Sequence, residues 1–271
     1  MSVLSARQAA RGKPMDRVAR VGLAARGAVY VLFGIVALLL ATGGHAGETD
    51  QRGAMQTLAS KTGGAVVVWL LAVGLFAYAL WRLAVAALGS SEANKASARL
   101  KALGSGVIYL LLAVSAVKIA AGTGAKSQSG TQELWTAKAM QHTGGRWLVG
   151  IIGVGVVVAG CVLVYEGVAR KFEKNLEFAE MSNVQRRIVE FLGVFGSTAR
   201  GVIIALAGIF VIVAAVTADP KKSRGLDGAL HKLQQMTGGP LLLGLVAIGL
   251  VAFGLYGFAE MRWRRTGARA S

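Results

Sequence analysis

A chain of 271 residues that is 54% apolar and only 16% charged, with a mean hydropathy of +0.56, has a composition that soluble domains do not show. Its net charge of +17 does not mark a nucleic-acid-binding domain, because the basic residues flank long apolar runs and form no separate basic region. The only cysteine, Cys161, falls inside an apolar run, which excludes an intrachain disulfide and a paired-cysteine metal or redox site.

Residues 1–19 carry Arg7, Arg11, Lys13 and Arg17 without apolar periodicity and read as a disordered cytoplasmic tail. Arg26-Gly27 then opens an apolar run through Tyr30, Phe33 and Leu40. A basic start before an apolar core also fits a secretory signal. The same run recurs in the interior at Gly106 and Gly201, however, so a retained span is predicted. A polar turn with His45, Glu48, Asp50 and Arg52 and a short segment, Ala54 to Lys61, lead to Thr62-Gly63-Gly64. That tripeptide begins a second run ending near Tyr78, Trp81 and Arg82, aromatic residues of the kind that mark a membrane interface.

A second copy of this pattern runs from Gly104-Ser105-Gly106 through an outer segment, Leu134 to Gln141, to Thr143-Gly144-Gly145 and a span from Trp147 to Tyr165. Beyond Glu166, the helical spacing of Phe172, Leu176 and Ala179 predicts that this span continues as an amphipathic extension. The third copy opens at Arg200-Gly201. It passes through a polar loop and the segment Leu226 to Met236, and returns from Thr237-Gly238-Gly239-Pro240 to Glu260.

Spacing shows that this is triplication. The first glycine recurs at 27, 106 and 201 and the first Thr-Gly-Gly glycine at 63, 144 and 238, separations of 36, 38 and 37. A further glycine follows 11 residues later in each copy, at Gly74, Gly155 and Gly249, while Glu166 and Glu260 share an offset of 22 at which the first copy has Val85. Each run approaches the ~20 residues that cross about 30 Å of hydrocarbon as a helix. The predicted fold is all-α: a polytopic membrane protein of six transmembrane helices, three tandem hairpin repeats with short outer amphipathic helices. The repeats are expected at 20–92, 98–172 and 193–265, with a cytoplasmic connector at 173–192, in one membrane domain. With the N-terminus inside, 20 of the 30 lysines and arginines fall on that side, so both termini are expected in the cytoplasm.

The sharpest motif is structural. Thr62-Gly63-Gly64, Thr143-Gly144-Gly145 and Thr237-Gly238-Gly239 stand where an outer segment must stop and turn steeply into the bilayer. Glycine accepts the left-handed conformation that such a stop needs. Threonine is a suitable cap for the next helix, and Pro240 suits its first turn. The outer segments, with Leu226, Leu230 and Leu233 and more weakly Met55 and Leu58 at helical spacing, either lie on the membrane surface or close the bundle end.

Arg26 and Arg200 occupy equivalent inner positions, as do Glu166 and Glu260, and are candidates for charge pairs between hairpins, Arg200 with Glu166 or Glu260 in particular. Lys118 lies close enough to a span end to snorkel. His45, His142 and His231 are scattered over separate loops and do not compose a metal site. Glycines at 150, 155 and 160, and at 244, 249 and 254, thin several helix faces for close packing. No nucleophile–base pair, metal-ligand cluster or cofactor motif is visible, so no catalytic, metal or cofactor residue is assigned.

Gly22-x-x-Ala25-Arg26-Gly27-x-x-Tyr30 and Gly196-x-x-Ala199-Arg200-Gly201, together with Gly225-Leu226-Asp227-Gly228-Ala229-Leu230 and Phe253-Gly254-Leu255-Tyr256-Gly257-Phe258-Ala259-Glu260, resemble the bacterial membrane family catalogued as domain of unknown function 1206. The likeness extends over nearly the whole chain. The second copy departs from it, with Gly104-Ser105-Gly106 in place of Ala-Arg-Gly. The resemblance implies three tandem two-helix repeats in a bacterial cell membrane and implies no activity.

The function expected from sequence is a non-enzymatic scaffold or accessory subunit of a membrane assembly, a reading that rests on glycine-rich helices and a lack of buried polar chemistry. A small transporter or channel, or a lipid-binding membrane protein, is the alternative. The expected partners are the bilayer, with anionic lipid headgroups or other membrane proteins as candidates, and no nucleic acid.

Overall fold

The computed structural model describes residues 13–43, 49–88, 96–123, 128–142, 144–223 and 225–264. Its helices, in order, are α1 (Lys13–Ala41), α2 (Gln51–Ala59), α3 (Gly64–Leu88), α4 (Ala96–Ala120), α5 (Gln128–Met140), α6 (Gly145–Val168), α7 (Asn183–Thr217), α8 (Gly225–Gln234) and α9 (Gly239–Trp263). Six of them, α1, α3, α4, α6, α7 and α9, are long and apolar enough to cross a membrane. Their valine, isoleucine and glycine content makes them poor helices in water. In hydrocarbon a helix satisfies every backbone group within one segment, and that requirement overrides propensity. The start of α1 and the end of α9, which pack along each other, mark one end of the bundle, called here the terminal end. The short helices α2, α5 and α8 cover the other, the loop end.

The corner motif explains itself once built. Gly63, Gly144 and Gly238 have φ of +74°, +80° and +72°, and the amide of the glycine after each donates to the carbonyl of Lys61, His142 or Met236 at 2.8, 2.9 and 2.7 Å. A Cβ on Gly64, Gly145 or Gly239 would lie only 1.8, 1.7 or 2.1 Å from the carbonyl oxygen of Leu58, Ala139 or Leu233. The first glycine thus turns the chain and the second lets it pass the short helix just completed. The expected threonine cap is corrected: α6 and α9 are capped by Gly144 and Gly238, with no side-chain bond, and Pro240 stands in the first turn. The glycine takes the N-cap position itself, which leaves Thr237 one residue outside it. Thr143 lies outside the described residues. Gly238→Ala is expected to cost about 1–2 kcal/mol through the left-handed conformation alone. Gly239→Ala should lower the unfolding midpoint further, because its Cβ overlaps a backbone oxygen. Thermal unfolding in detergent measures both.

The loop-end helices close the bundle. Met55 and Leu230 are fully buried, and Asp227 is largely buried, its carboxylate accepting the Thr49 amide at 2.8 Å and lying 3.3 Å from His231 Nε2. Gln234 Nε2 donates to the Leu40 carbonyl at 2.8 Å, and Arg146 donates to the last-turn carbonyls of Ala215 and Val216. Only α5 presents large apolar residues outward, with Leu134 and Trp135 exposed.

The spans do not pair chiefly within repeats. The returning helix of each repeat packs along the outgoing helix of the next: α3 on α4, α6 on α7 and, closing the cycle, α9 on α1. The α6–α7 and α9–α1 interfaces are built alike. Gly201 abuts Gly160 and Gly27 abuts Gly254, with an added Cβ falling 2.9 and 2.6 Å from the opposing carbonyl oxygen.

Within repeats one and three the two spans also touch. A Cβ on Gly22 would meet the Tyr78 backbone at 2.5 Å, and one on Gly196 the Phe253 backbone at 2.4 Å. Gly74 against Ala25 and Gly249 against Ala199 repeat the contact one turn further on, at 2.4 and 2.2 Å. In repeat two the register of Gly22 and Gly196 is occupied by Lys101, and α4 and α6 form no packed interface. Gly104 and Gly155, which correspond to Ala25 and Gly74, have nothing within 4 Å. The six spans therefore form a ring with one open seam. A lysine in place of a contact glycine accounts for the opening.

The expected amphipathic continuation of α6 is also corrected. Arg170 adopts a left-handed φ of +51°, and two 3-10 turns follow, Lys171–Asn175 and Phe178–Glu180. Phe172 fills the space over Gly193 and meets the Tyr256 ring edge-on at 5.2 Å. Leu176, fully buried, bridges to Arg264, while the Glu177 amide donates to the Trp263 carbonyl at 2.9 Å. A straight helix could not bring these side chains back over the bundle, so burial overrides the local period. Ser182 and Gln185 then form a reciprocal capping box that starts the 35-residue α7.

Candidate functional site: an arginine–tyrosine cluster at the terminal end

Where α1, α3, α7 and α9 converge, four arginines meet a ring of aromatic side chains. Arg26 is 7% exposed although it lies in an apolar helix. Fifteen residues separate it from Ala41, so it sits about 22 Å from the loop end of α1 at 1.5 Å per residue. An arginine at that depth needs a partner. It pairs with Glu260 of α9 and donates from Nη1 to the Tyr78 hydroxyl at 3.2 Å. Arg264 Nη1 binds the other Glu260 oxygen at 3.0 Å. One buried carboxylate thus serves two guanidinium groups.

The remaining arginines are held differently. Arg200 lies over the rings of Tyr30 and Phe253, with centroids 5.5 and 4.9 Å away, and Arg26 stacks on the same Phe253 ring at 5.2 Å. The buried Nε of Arg200 has no hydrogen-bond partner. Arg82 stacks on Trp81 at 5.7 Å, as does Arg264 at 4.8 Å, and Arg82 donates to the Lys101 carbonyl. Neither Arg82 nor Arg200 has an ion pair among the described residues. Tyr78 meets Tyr109 of α4 edge-on at 4.6 Å, and Tyr30 meets Phe253 edge-on at 4.7 Å.

Of the four charged residues singled out in the sequence, the structure joins Arg26 to Glu260. It does not join Arg200 to either glutamate: Glu166 is engaged by Lys101 across the open seam. By internal symmetry Glu166 and Arg200 hold the same relation across α6 and α7 as Glu260 and Arg26 hold across α9 and α1. Repeat two has diverted that carboxylate. Sequence reasoning missed Tyr30, Tyr78, Tyr109 and Phe253, although the repeat offsets carried a signal. Tyr30 and Tyr109 each follow the first glycine by three residues, and Tyr78 and Phe253 each follow the corner glycine by 15. Lys118 is exposed near the end of α4, and the ring of His142 faces the Lys138 carbonyl. His45 lies outside the described residues. Among the described residues no three histidine, cysteine or carboxylate side chains group as metal ligands.

Six apolar spans in three tandem units, joined by glycine corners and closed by a buried arginine–glutamate pair, define a multi-pass all-α membrane protein built by internal repetition. The profile of the family described as Domain of Unknown Function (DUF1206) matches three times, at residues 21–89, 100–170 and 195–264, and the chain belongs to that family. It is also similar to the Uncharacterized protein YxxB of Bacillus subtilis (strain 168), with 32% identity over 262 residues that cover 93% of this chain and 94% of that relative. No solved structure matches the chain.

Proposed function

We propose that the protein is a non-enzymatic integral membrane protein of the bacterial cell membrane, with both termini cytoplasmic, that holds an anionic group at the arginine–tyrosine cluster. The observation that carries this reading is the contrast between two equivalent residues. Arg26 has its carboxylate; among the described residues Arg200 has aromatic rings and no ion pair. A cation–π contact contributes about 2 kcal/mol when desolvated. Removing an ion from water costs several kcal/mol even after relaxation. The rings alone therefore leave the guanidinium under-compensated, and an anion at its free edge supplies the difference. The excess of lysine and arginine on the terminal side supports placing that end in the cytosol, where anionic headgroups face it.

The scaffold reading rested on glycine-rich helices and an absence of buried polar chemistry; the cluster is buried polar chemistry, and the glycine-rich packing stands. The test uses the full chain in a neutral detergent, titrated with short-chain phosphatidylglycerol or short-chain phosphatidylcholine. The unfolding midpoint is expected to rise by several degrees with the anionic lipid only, and Arg200→Gln should abolish the response. An equal response to both lipids, or an undiminished one in the variant, would sink the proposal.

A further inference from the structure

We propose that the start of α7 projects beyond the bilayer and pairs with the same helix of a second copy of this chain, in a parallel two-fold dimer along the stripe Val184, Ile188, Phe191 and Phe195. α7 is longer than a membrane requires. About 20 residues of helix cross ~30 Å of hydrocarbon. α1 and α4 turn basic at that length: Arg20 and Arg99 each stand 21 residues from Ala41 and Ala120, the last residues of their helices. The same count back from Thr217 ends at Gly196, yet α7 begins at Asn183. Phe191, Ile188 and Val184 therefore stand about 8, 12 and 18 Å past the hydrocarbon, where the headgroup layer adds only about 5–8 Å. The last two are in water.

These side chains are nonetheless apolar and turned outward. Val184, Ile188 and Phe191 are 67%, 53% and 65% exposed, and the Phe191 and Phe195 rings stack at 5.7 Å. At about 100° per residue the four fall within roughly 60° of one another. The face that packs on the bundle, with Val189, Gly193 and Gly196, points elsewhere. This part of α7 thus has two apolar faces, and the fold covers one of them. Lipid does not reach the outer part of the other, so a protein surface is what it fits.

The spacing identifies the partner. Intervals of four, three and four residues are those of a coiled-coil seam. One register of that seam continues as Ile188, Phe195, Val202, Ile209 and Val216, spaced by seven over four heptads, with β-branched residues at four of the five positions. Val202, Ile209 and Val216 are exposed as well, so the seam runs down the outer face of α7 into the membrane. β-Branched residues in one register favour parallel two-stranded pairs, and three to four heptads sustain one. Two copies in one bilayer share an orientation. A two-fold axis along the membrane normal then sets both α7 helices parallel, each stripe residue facing its own counterpart.

The experiment reconstitutes the full chain, carrying Cys161→Ala, into vesicles at a high lipid-to-protein ratio and oxidises single introduced cysteines. Ile188→Cys and Phe191→Cys should form a disulfide-linked dimer at least tenfold more efficiently than Arg186→Cys, which lies on another face of the same turn. All three positions are exposed, so none of these variants disturbs the bundle. Phe191→Glu should convert the dimer to a monomer in native mass spectrometry with helical content unchanged. Absence of a cross-linked dimer at both 188 and 191, or equal cross-linking at Arg186→Cys, overturns the pairing, and a dimer that persists in Phe191→Glu overturns the stripe as its seam. A bimane fluorophore on Ile188→Cys that brominated phospholipid quenches as strongly as one on the native, exposed Cys161 places the stripe in the bilayer and overturns the proposal too.

Discussion

Replacing Glu260 by alanine is expected to destabilise the bundle by about 3–5 kcal/mol, the range found when one partner of a buried ion pair is removed. Two guanidinium groups, Arg26 and Arg264, lose their shared carboxylate, and both have side chains less than one-tenth exposed. Arg26 retains the Tyr78 hydroxyl and two ring contacts, which do not neutralise its charge. The companion variant Arg26→Met with Glu260→Met removes the charges at α1 and α9 together and should recover part of the loss, because the desolvation cost disappears with the ions. Equilibrium unfolding in mixed micelles of Arg26→Met, Glu260→Met and the double variant gives the coupling energy. Additive losses would mean that the pair contributes little beyond its separate contacts.

The second large effect concerns the α1–α9 contact. A Cβ on Gly27 would fall 2.6 Å from the Gly254 carbonyl oxygen, and one on Gly254 would fall 2.6 Å from that of Gly27. Both obstacles are backbone, so no side-chain rotation relieves them. Gly254→Ala is expected to cost about 3 kcal/mol, at the upper end of the overpacking range. Gly244→Ala, on the same helix with nothing within 4 Å, should instead be neutral or stabilise by up to about 1 kcal/mol through lost unfolded-state freedom. Opposite signs for two identical substitutions in one helix would tie the close approach, rather than glycine content, to stability. Midpoints shifted alike would refute it.

Much of this architecture was legible because lipid simplifies the code. Six apolar runs, the glycine offsets and the corner tripeptides follow from hydrophobic length and backbone sterics, and the fold agrees with them. Which spans become neighbours was not legible from those features. Hairpin contiguity suggested pairing within repeats, whereas Gly27 with Gly254 and Gly160 with Gly201 place the strongest interfaces between repeats. The Phe172 to Ala179 segment misled for another reason: its spacing fits a helix, but Leu176 gains more from burial under the end of α9 than from a continued helical ladder. At the cluster, Arg26, Arg200 and Glu260 stood out as charges at equivalent inner positions of the repeats. The tyrosines did not, since an aromatic near a span end reads as an interface residue whether it faces lipid or a guanidinium.

The pairing of the first span with the last also governs how the molecule can be made. Arg26 precedes Glu260 by 234 residues, and at 5–20 residues per second the ribosome needs roughly 10 to 50 s to cover that distance. Throughout that interval the newborn first span carries a guanidinium whose counter-ion has not yet been synthesised, at an insertion cost of up to about 3 kcal/mol. Completion must await delivery of the final segment, so a nascent chain arrested before α9 should stay a substrate for membrane quality control however long it is given.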